Sequence, residues 1–176
     1  MTSTAVKYFH AGLPGAPVGT GLAGSLIAIL DACLNTGWGL LTAQSASVSG
    51  EVCTLFFGTG HAFEPLIVGL VAGAGTAAVN GEHRISSTTT NTVSFPVPGV
   101  PDGPVSGTIT IKVAPAGWLK LFSGANKAVY KPTPPDASGC VVRIDDTAGR
   151  YARLRAYESM TDVDTGIGPT PTDAQL

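Results

Sequence analysis

Charge is scarce in this sequence. Asp, Glu, Lys and Arg together make up 12% of it, against about 25% in an average globular domain. A free-standing soluble domain keeps more charge on its surface. The shortage therefore predicts a surface covered in large part by other chains, with a small, weakly charged monomer as the alternative. The net charge is −2 and no Lys/Arg stripe exists, which argues against direct nucleic-acid binding. The cysteines, Cys33, Cys53 and Cys140, are odd in number and far apart, neither a disulfide framework nor a zinc pattern. Their apolar neighbours predict buried free thiols and assembly in a reducing cytoplasm. Met1 to Lys7 lacks the basic stretch and apolar run of a signal peptide. The most apolar segment, Leu22 to Leu34, is too short to span a bilayer and contains Asp31. No membrane role follows.

What is present is apolar content and punctuation. The 176 residues are 44% hydrophobic, which supports a core in one moderate domain or two small ones. With 23 Gly and 13 Pro, the chain reads as short strands joined by many turns.

Residues 1–20 read as an extended arm, because Pro14 and Pro17 among glycines forbid a stable helix. Within it Lys7-Tyr8-Phe9-His10 has strand character and can add to a neighbour's sheet edge. Residues 25–36 predict a helix, since Leu26, Ile29, Leu30, Cys33 and Leu34 share one face. Ser25 is the expected N-cap and Gly37 the expected left-handed stop.

The period then changes from helical to two. Residues 48–57 predict a hairpin turning at Ser49-Gly50, and Leu66 to Val71 a short strand. Asn80-Gly81 is a turn signal leading into Glu82 to Ser86. Thr92 to Phe95 is a further strand, and Pro96 to Pro104 a loop. In Gly107 to Val113, Ile109, Ile111 and Val113 alternate with Thr108, Thr110 and Lys112, the pattern of a half-buried strand. Lys120 to Tyr130 is a mixed stretch with a turn at Gly124 and Asn126, and the Pro132 to Pro135 run is a loop. Cys140 to Ile144 and Tyr151 to Tyr157 read as a hairpin around Asp146 to Gly149. Ala, Leu and Arg also favour a helix over Tyr151 to Tyr157, but the alternation and the preceding turn favour a strand. Residues 161–176 read as a surface tail. The expected fold is mainly β. A small β-barrel or sandwich module at 44–113 is flanked by an arm and one helix at 1–43, and by a β-hairpin segment with a Gly/Pro-rich tail at 114–176, which packs on the N-terminal part.

Chemistry-bearing motifs are sparse. None of His10, His61 and His83 has a partner at metal-ligand spacing. His61, after Gly58-Thr59-Gly60, is expected to satisfy turn carbonyls, and His83 to face solvent. Asp164-Thr165-Gly166 matches the aspartic-protease triplet in letters, but its flanks are polar where that chemistry needs a dry, apolar loop. Asp162 and Asp164, like Asp145 and Asp146, read as turn chemistry rather than a calcium loop, which needs about six oxygen ligands. No Gly-x-Ser-x-Gly elbow and no phosphate-binding loop with Lys occurs. No residue is assigned a catalytic, cofactor-binding or metal role, and no cofactor is expected.

Two stretches carry a resemblance. The first runs through Gly58-Thr59-Gly60-His61-Ala62-Phe63, Val71-Ala72-Gly73-Ala74, Val79-Asn80-Gly81-Glu82-His83-Arg84 and Thr90-Asn91-Thr92-Val93-Ser94-Phe95. It resembles a small β-barrel module that recurs in virion proteins of tailed bacteriophages. The second includes Ala114-Pro115, Gly117-Trp118, Phe122-Ser123-Gly124, Asn126-Lys127-Ala128-Val129-Tyr130, Arg143, Asp145-Asp146-Thr147, Ala152-Arg153, Arg155, Tyr157-Glu158, Met160 and Asp162-Val163-Asp164-Thr165-Gly166. It is similar to an uncharacterised phage virion family. Members of that family continue past the position of Leu176, so the resemblance implies a longer protein or a processing boundary there.

The resemblance implies a structural particle component, not an activity: capsid decoration, head–tail neck or tail tip, with the head or neck favoured. Its expected partners are copies of itself and other virion proteins, its expected place the virion after assembly in the host cytoplasm. One alternative is a host-surface, glycan-binding tail module, with Trp38, Trp118, Tyr130, Tyr151 and Tyr157 as the available aromatics, most of them expected in core or interface. A weaker one is an aspartate-dependent hydrolase built on Asp164.

Overall fold

The computed structural model describes residues 3–13 and 15–172. The chain is mainly β, with 37% strand and 9% helix. Its described residues form two compact units. One takes the chain up to Ala16 together with Gly37–Ala114, the other Pro17–Thr36 together with the chain from Pro115. This division cuts across the expected segments 1–43, 44–113 and 114–176. The physical reason is pairing over long sequence distance: residues 38–42 are held by 110–113, and the helix of 25–36 packs on strands beyond 118.

The first unit contains β1 (Trp38–Thr42), β2 (Ser45–Ser49), β3 (Val52–Phe56), β4 (Val68–Ala72), β5 (Gly81–Arg84), β6 (Ser87–Thr88), β7 (Thr92–Pro96), β8 (Gly103–Pro104) and β9 (Thr110–Val113). They form two antiparallel sheets, ordered β1-β9-β4-β5 and β6-β7-β3-β2-β8. No closed barrel forms, and the arrangement is sandwich-like. The chain passes between the sheets four times, and two of these passages, β1 to β2 and β5 to β6, are tight corners. At the first, Ala43 N–H bonds Ile109 O and Gln44 N–H bonds Phe56 O. At the second, Ile85 N–H bonds Ile67 O and Ser86 N–H bonds Ser94 O.

Register explains the core. Val48 stands opposite Cys53, Cys53 opposite Phe95 and Leu55 opposite Val93, so all five share one face and all are buried. Val71 pairs with Ile111 on the other sheet. Burying a side chain such as Leu55 or Phe95 fully is worth about 1.5–3 kcal/mol.

The Ser49-Gly50 turn forms as expected, with Gly50 and Glu51 both at positive φ. Asn80-Gly81 does not make a two-residue turn. A short 3-10 helix, Ala77–Val79, precedes it. The Asn80 amide then bonds the main-chain oxygen and N–H of Ala74, at 2.8 and 2.9 Å. Gly73 and Gly107 lie so close that a Cβ on either would collide with carbonyls of the facing segment.

The second unit pairs β10 (Leu119–Gly124), β11 (Lys127–Lys131), β12 (Val141–Asp145) and β13 (Arg153–Tyr157) as an antiparallel meander, and β14 (Ser159–Met160) with β15 (Gly166–Ile167) as a small hairpin. Residues 153–157 are a strand, as the alternation predicted. The expected C-terminal hairpin is β12–β13, and β10–β11 extends it.

Helix α1 (Ser25–Leu30) continues as a π-helical stretch over Asp31–Thr36. Ile27, with Leu26, Leu30 and Leu34, packs on Ala128, Tyr130 and Ile144. The opposite face of the sheet buries Val129, Val141, Tyr157 and Met160, with Phe122 and Val163 beside them.

The helix cap differs from expectation. Ser25 makes no capping bond, and Gly24 is the N-cap at φ 86°. The first free N–H groups go elsewhere: Leu26 N–H donates to Asp146 Oδ2 at 2.8 Å and Gly24 N–H to Asp146 O at 3.3 Å. At the far end Gly37 takes the left-handed turn at φ 69°, as expected. Of the expected tail, 161–176, residues 161–167 complete the hairpin begun at Ser159–Met160, Thr170 bridges to Ala156, and 173–176 lie outside the described residues.

Candidate functional site

The arm is the first candidate. Residues 3–10 take no regular strand; they run extended over the first unit. Strand β5 alternates, placing Gly81 and His83 on the inner face and Glu82 and Arg84 on the outer one. Arg84 gathers three carbonyls: Nε donates to Ser3 O at 2.8 Å, Nη2 to Val6 O at 2.5 Å and Nη1 to Leu66 O at 2.5 Å. Lys7 Nζ pairs with Glu82 Oε1 at 2.6 Å, and Tyr8 OH donates to Pro65 O. Phe9 meets Trp38 with ring centres 5.3 Å apart. Leu13 is buried at the end of the arm. Nothing in the sequence marks Arg84: with His83 expected to face solvent, the two-residue period puts Arg84 on the inner face, the reverse of what is found.

The second candidate is the outer edge of β13, which no strand among the described residues pairs. Ala156 exchanges both main-chain bonds with Thr170, at 3.0 and 2.9 Å. By the two-residue period, Leu154 N–H and C=O point to the same edge. Leu154 is 61% exposed, Tyr151 82% and Leu22 70%. Two grooves of about 550 and 610 Å³ share Tyr151 and Ala152 in their walls. The alternation of 152–157 faces opposite to an apolar-in reading. Arg155 and Tyr157 are buried while Leu154 is out, because Arg155 stands opposite Arg143 on the face covered by the β14–β15 hairpin.

The acidic residues serve turns and ion pairs. Asp162 Oδ1 accepts N–H bonds from Asp164 at 2.7 Å and Thr165 at 2.8 Å, which lowers its pKa. Asp164 Oδ1 takes Lys127 Nζ and Arg143 Nη2, both at 2.7 Å. Those two cations, Lys127 first, hold the Asp164 carboxyl below its ordinary range. Its partners are thus cationic, and its side chain is 55% exposed. Asp31 joins Lys120 Nζ and Tyr130 OH, each at 2.8 Å; burial and the Asp31 carboxylate push the Tyr130 hydroxyl up. Asp146 is fully buried and its Oδ1 has no partner among the described residues.

His61 bonds no carbonyl of its own turn: Nε2 meets Thr92 O on β7 at 2.8 Å, and Nδ1 accepts from Phe63 N–H. His83 does not face solvent. It lies on the inner face, stacked on Phe95 at 4.5 Å and bonded to Val79 O, and burial lowers its pKa. Cys53 is buried, and burial raises its pKa to about 11. Cys33 is half-buried, and Cys140 is exposed, against expectation. Cys140 lies just ahead of β12, outside the packed part of the sheet.

Among the described residues no group of three or more His, Cys, Asp or Glu is placed to hold a metal ion. No helix among them is long and apolar enough to cross a membrane. The five aromatics considered for glycan do not converge. Trp38, Tyr130 and Tyr157 are buried, Trp118 packs in the helix layer, and Tyr151 stands alone. No protein-family model, curated protein or solved structure matches this chain.

Proposed function

We propose that this chain is a structural subunit of a bacteriophage particle, working by packing against copies of itself and other virion proteins. The observation that carries the assembly reading is the β13 edge: beside Ala156, which Thr170 covers, no strand among the described residues pairs with Leu154 on that side, and Leu154, Tyr151 and Leu22 are exposed, in a chain with 12% charged residues. Such an edge is a template for another chain, and monomers ordinarily blunt it. The phage setting rests on the resemblance of the two sequence stretches. Head or neck is the favoured location.

The test is twofold. Sedimentation of the purified chain over a hundredfold concentration range should show reversible association. Electron microscopy of intact particles should place it in regular copies. A monodisperse monomer without affinity for virion proteins would overturn the proposal.

A further inference from the structure

We infer that residues 3–13 form an exchangeable strap: in paired copies of the chain, the arm of each docks on the first unit of the other, through the contacts it makes in its own chain. The inference rests on the assembly reading above and names its partner, a second copy.

Connectivity is the first argument. The arm docks on the first unit, yet its chain leaves that unit at Ala16, passes through Pro17–Thr36 in the second unit, and returns at Gly37. The arm is therefore not adjacent in sequence to what it binds. Gly15 to Gly24 holds four glycines and no helix or strand. Ten residues of extended chain span up to about 35 Å, enough to reach a neighbour.

The chemistry of docking is the second. Arg84 recognises main-chain carbonyls of Ser3 and Val6, and Lys7 meets Glu82. Any extended copy of the same segment satisfies the same groups, so the exchanged state keeps every bond of the closed one. In the isolated chain the tethered arm wins by its effective concentration. Copies held side by side in an assembly remove that advantage.

Charge reversal tests this in the full chain. Lys7→Glu alone and Glu82→Lys alone each place like charges at the latch, within a chain and between identical chains. Co-expressed, the two variants restore attraction only between chains. The native Lys7 of the Glu82→Lys chain then meets the native Glu82 of the Lys7→Glu chain, and the two introduced charges, opposite in sign, meet at the other latch. Native mass spectrometry should find heterodimer at least tenfold above the homodimer of either variant, and the double variant should behave as wild type. Heterodimer no more abundant than either homodimer overturns the strap.

A second measurement needs no variant. Light and 15N-labelled wild-type chains are mixed before assembly and treated with a carbodiimide, which joins Lys7 to Glu82. Crosslinked peptides carrying both labels support exchange. Crosslinks confined to one label, in chains that do assemble, sink the strap and leave the assembly reading standing. Chains that stay monomeric overturn both.

Discussion

Asp146 separates the two accounts of how the helix begins. Sequence makes Ser25 the cap, whereas the structure gives the task to a carboxylate 120 positions away from Leu26. Asp146→Ala removes the acceptor of Leu26 N–H. An N-cap of this kind is worth about 0.5–2 kcal/mol. The side chain is fully buried, so truncation also leaves a small void and a polar N–H without its partner, for a total of about 1–3 kcal/mol. Asp146→Asn keeps an oxygen for Leu26 and removes a charge from a position without water contact. It should cost less than the Ala variant, within about 1 kcal/mol of wild type. Ser25→Ala touches no capping bond and should stay within about 0.5 kcal/mol. Urea midpoints by circular dichroism should rank Asp146→Ala lowest and Asp146→Asn at or just below wild type, with Ser25→Ala beside wild type. Hydrogen exchange at the Leu26 amide should accelerate in Asp146→Ala alone. If Ser25→Ala destabilised as much as Asp146→Ala, the helix would be capped locally and the reasoning would fail.

Three further outcomes follow from named groups. Burial lowers the His83 pKa from its ordinary 6.5, so the unfolded chain binds the proton more readily. Stability should be complete above about pH 6.5 and fall as pH drops below it. Urea midpoints between pH 7.5 and 5.5 should show that slope, and His83→Gln should flatten it; an equal slope in both chains would refute the assignment. Native chain at pH 8 should label with a thiol reagent first at Cys140, while Cys53, its thiol raised to about 11 and buried, labels only on unfolding; mass mapping of the peptides decides it. Asp164→Asn should speed amide exchange across β14–β15, because Asp164 anchors that hairpin to Arg143 and Lys127. Unchanged exchange, or the loss of a hydrolytic activity present in wild type, would count against a purely structural Asp164.

The sequence by itself determined what depends on neighbours a few residues away. The Ser49-Gly50 turn, the apolar alternation of Ile109, Ile111 and Val113, the helical face of Leu26 to Leu34 and the strand at 153–157 each express local sterics and periodicity. The tertiary structure decided everything that turns on which distant segment arrives. Trp38–Thr42 reads as the tail of a helical segment until β9 pairs with it. Asn80 reads as a hairpin turn until Ala74 takes its amide. Leu154 reads as core until the β14–β15 hairpin covers the other face and buries Arg155 instead. The carbonyl contacts of Arg84 and the helix cap made by Asp146 carry no local mark, because those partners lie 18 to 120 positions away. A strand's period says that it has two faces; only the chain packed against it says which of them is inside.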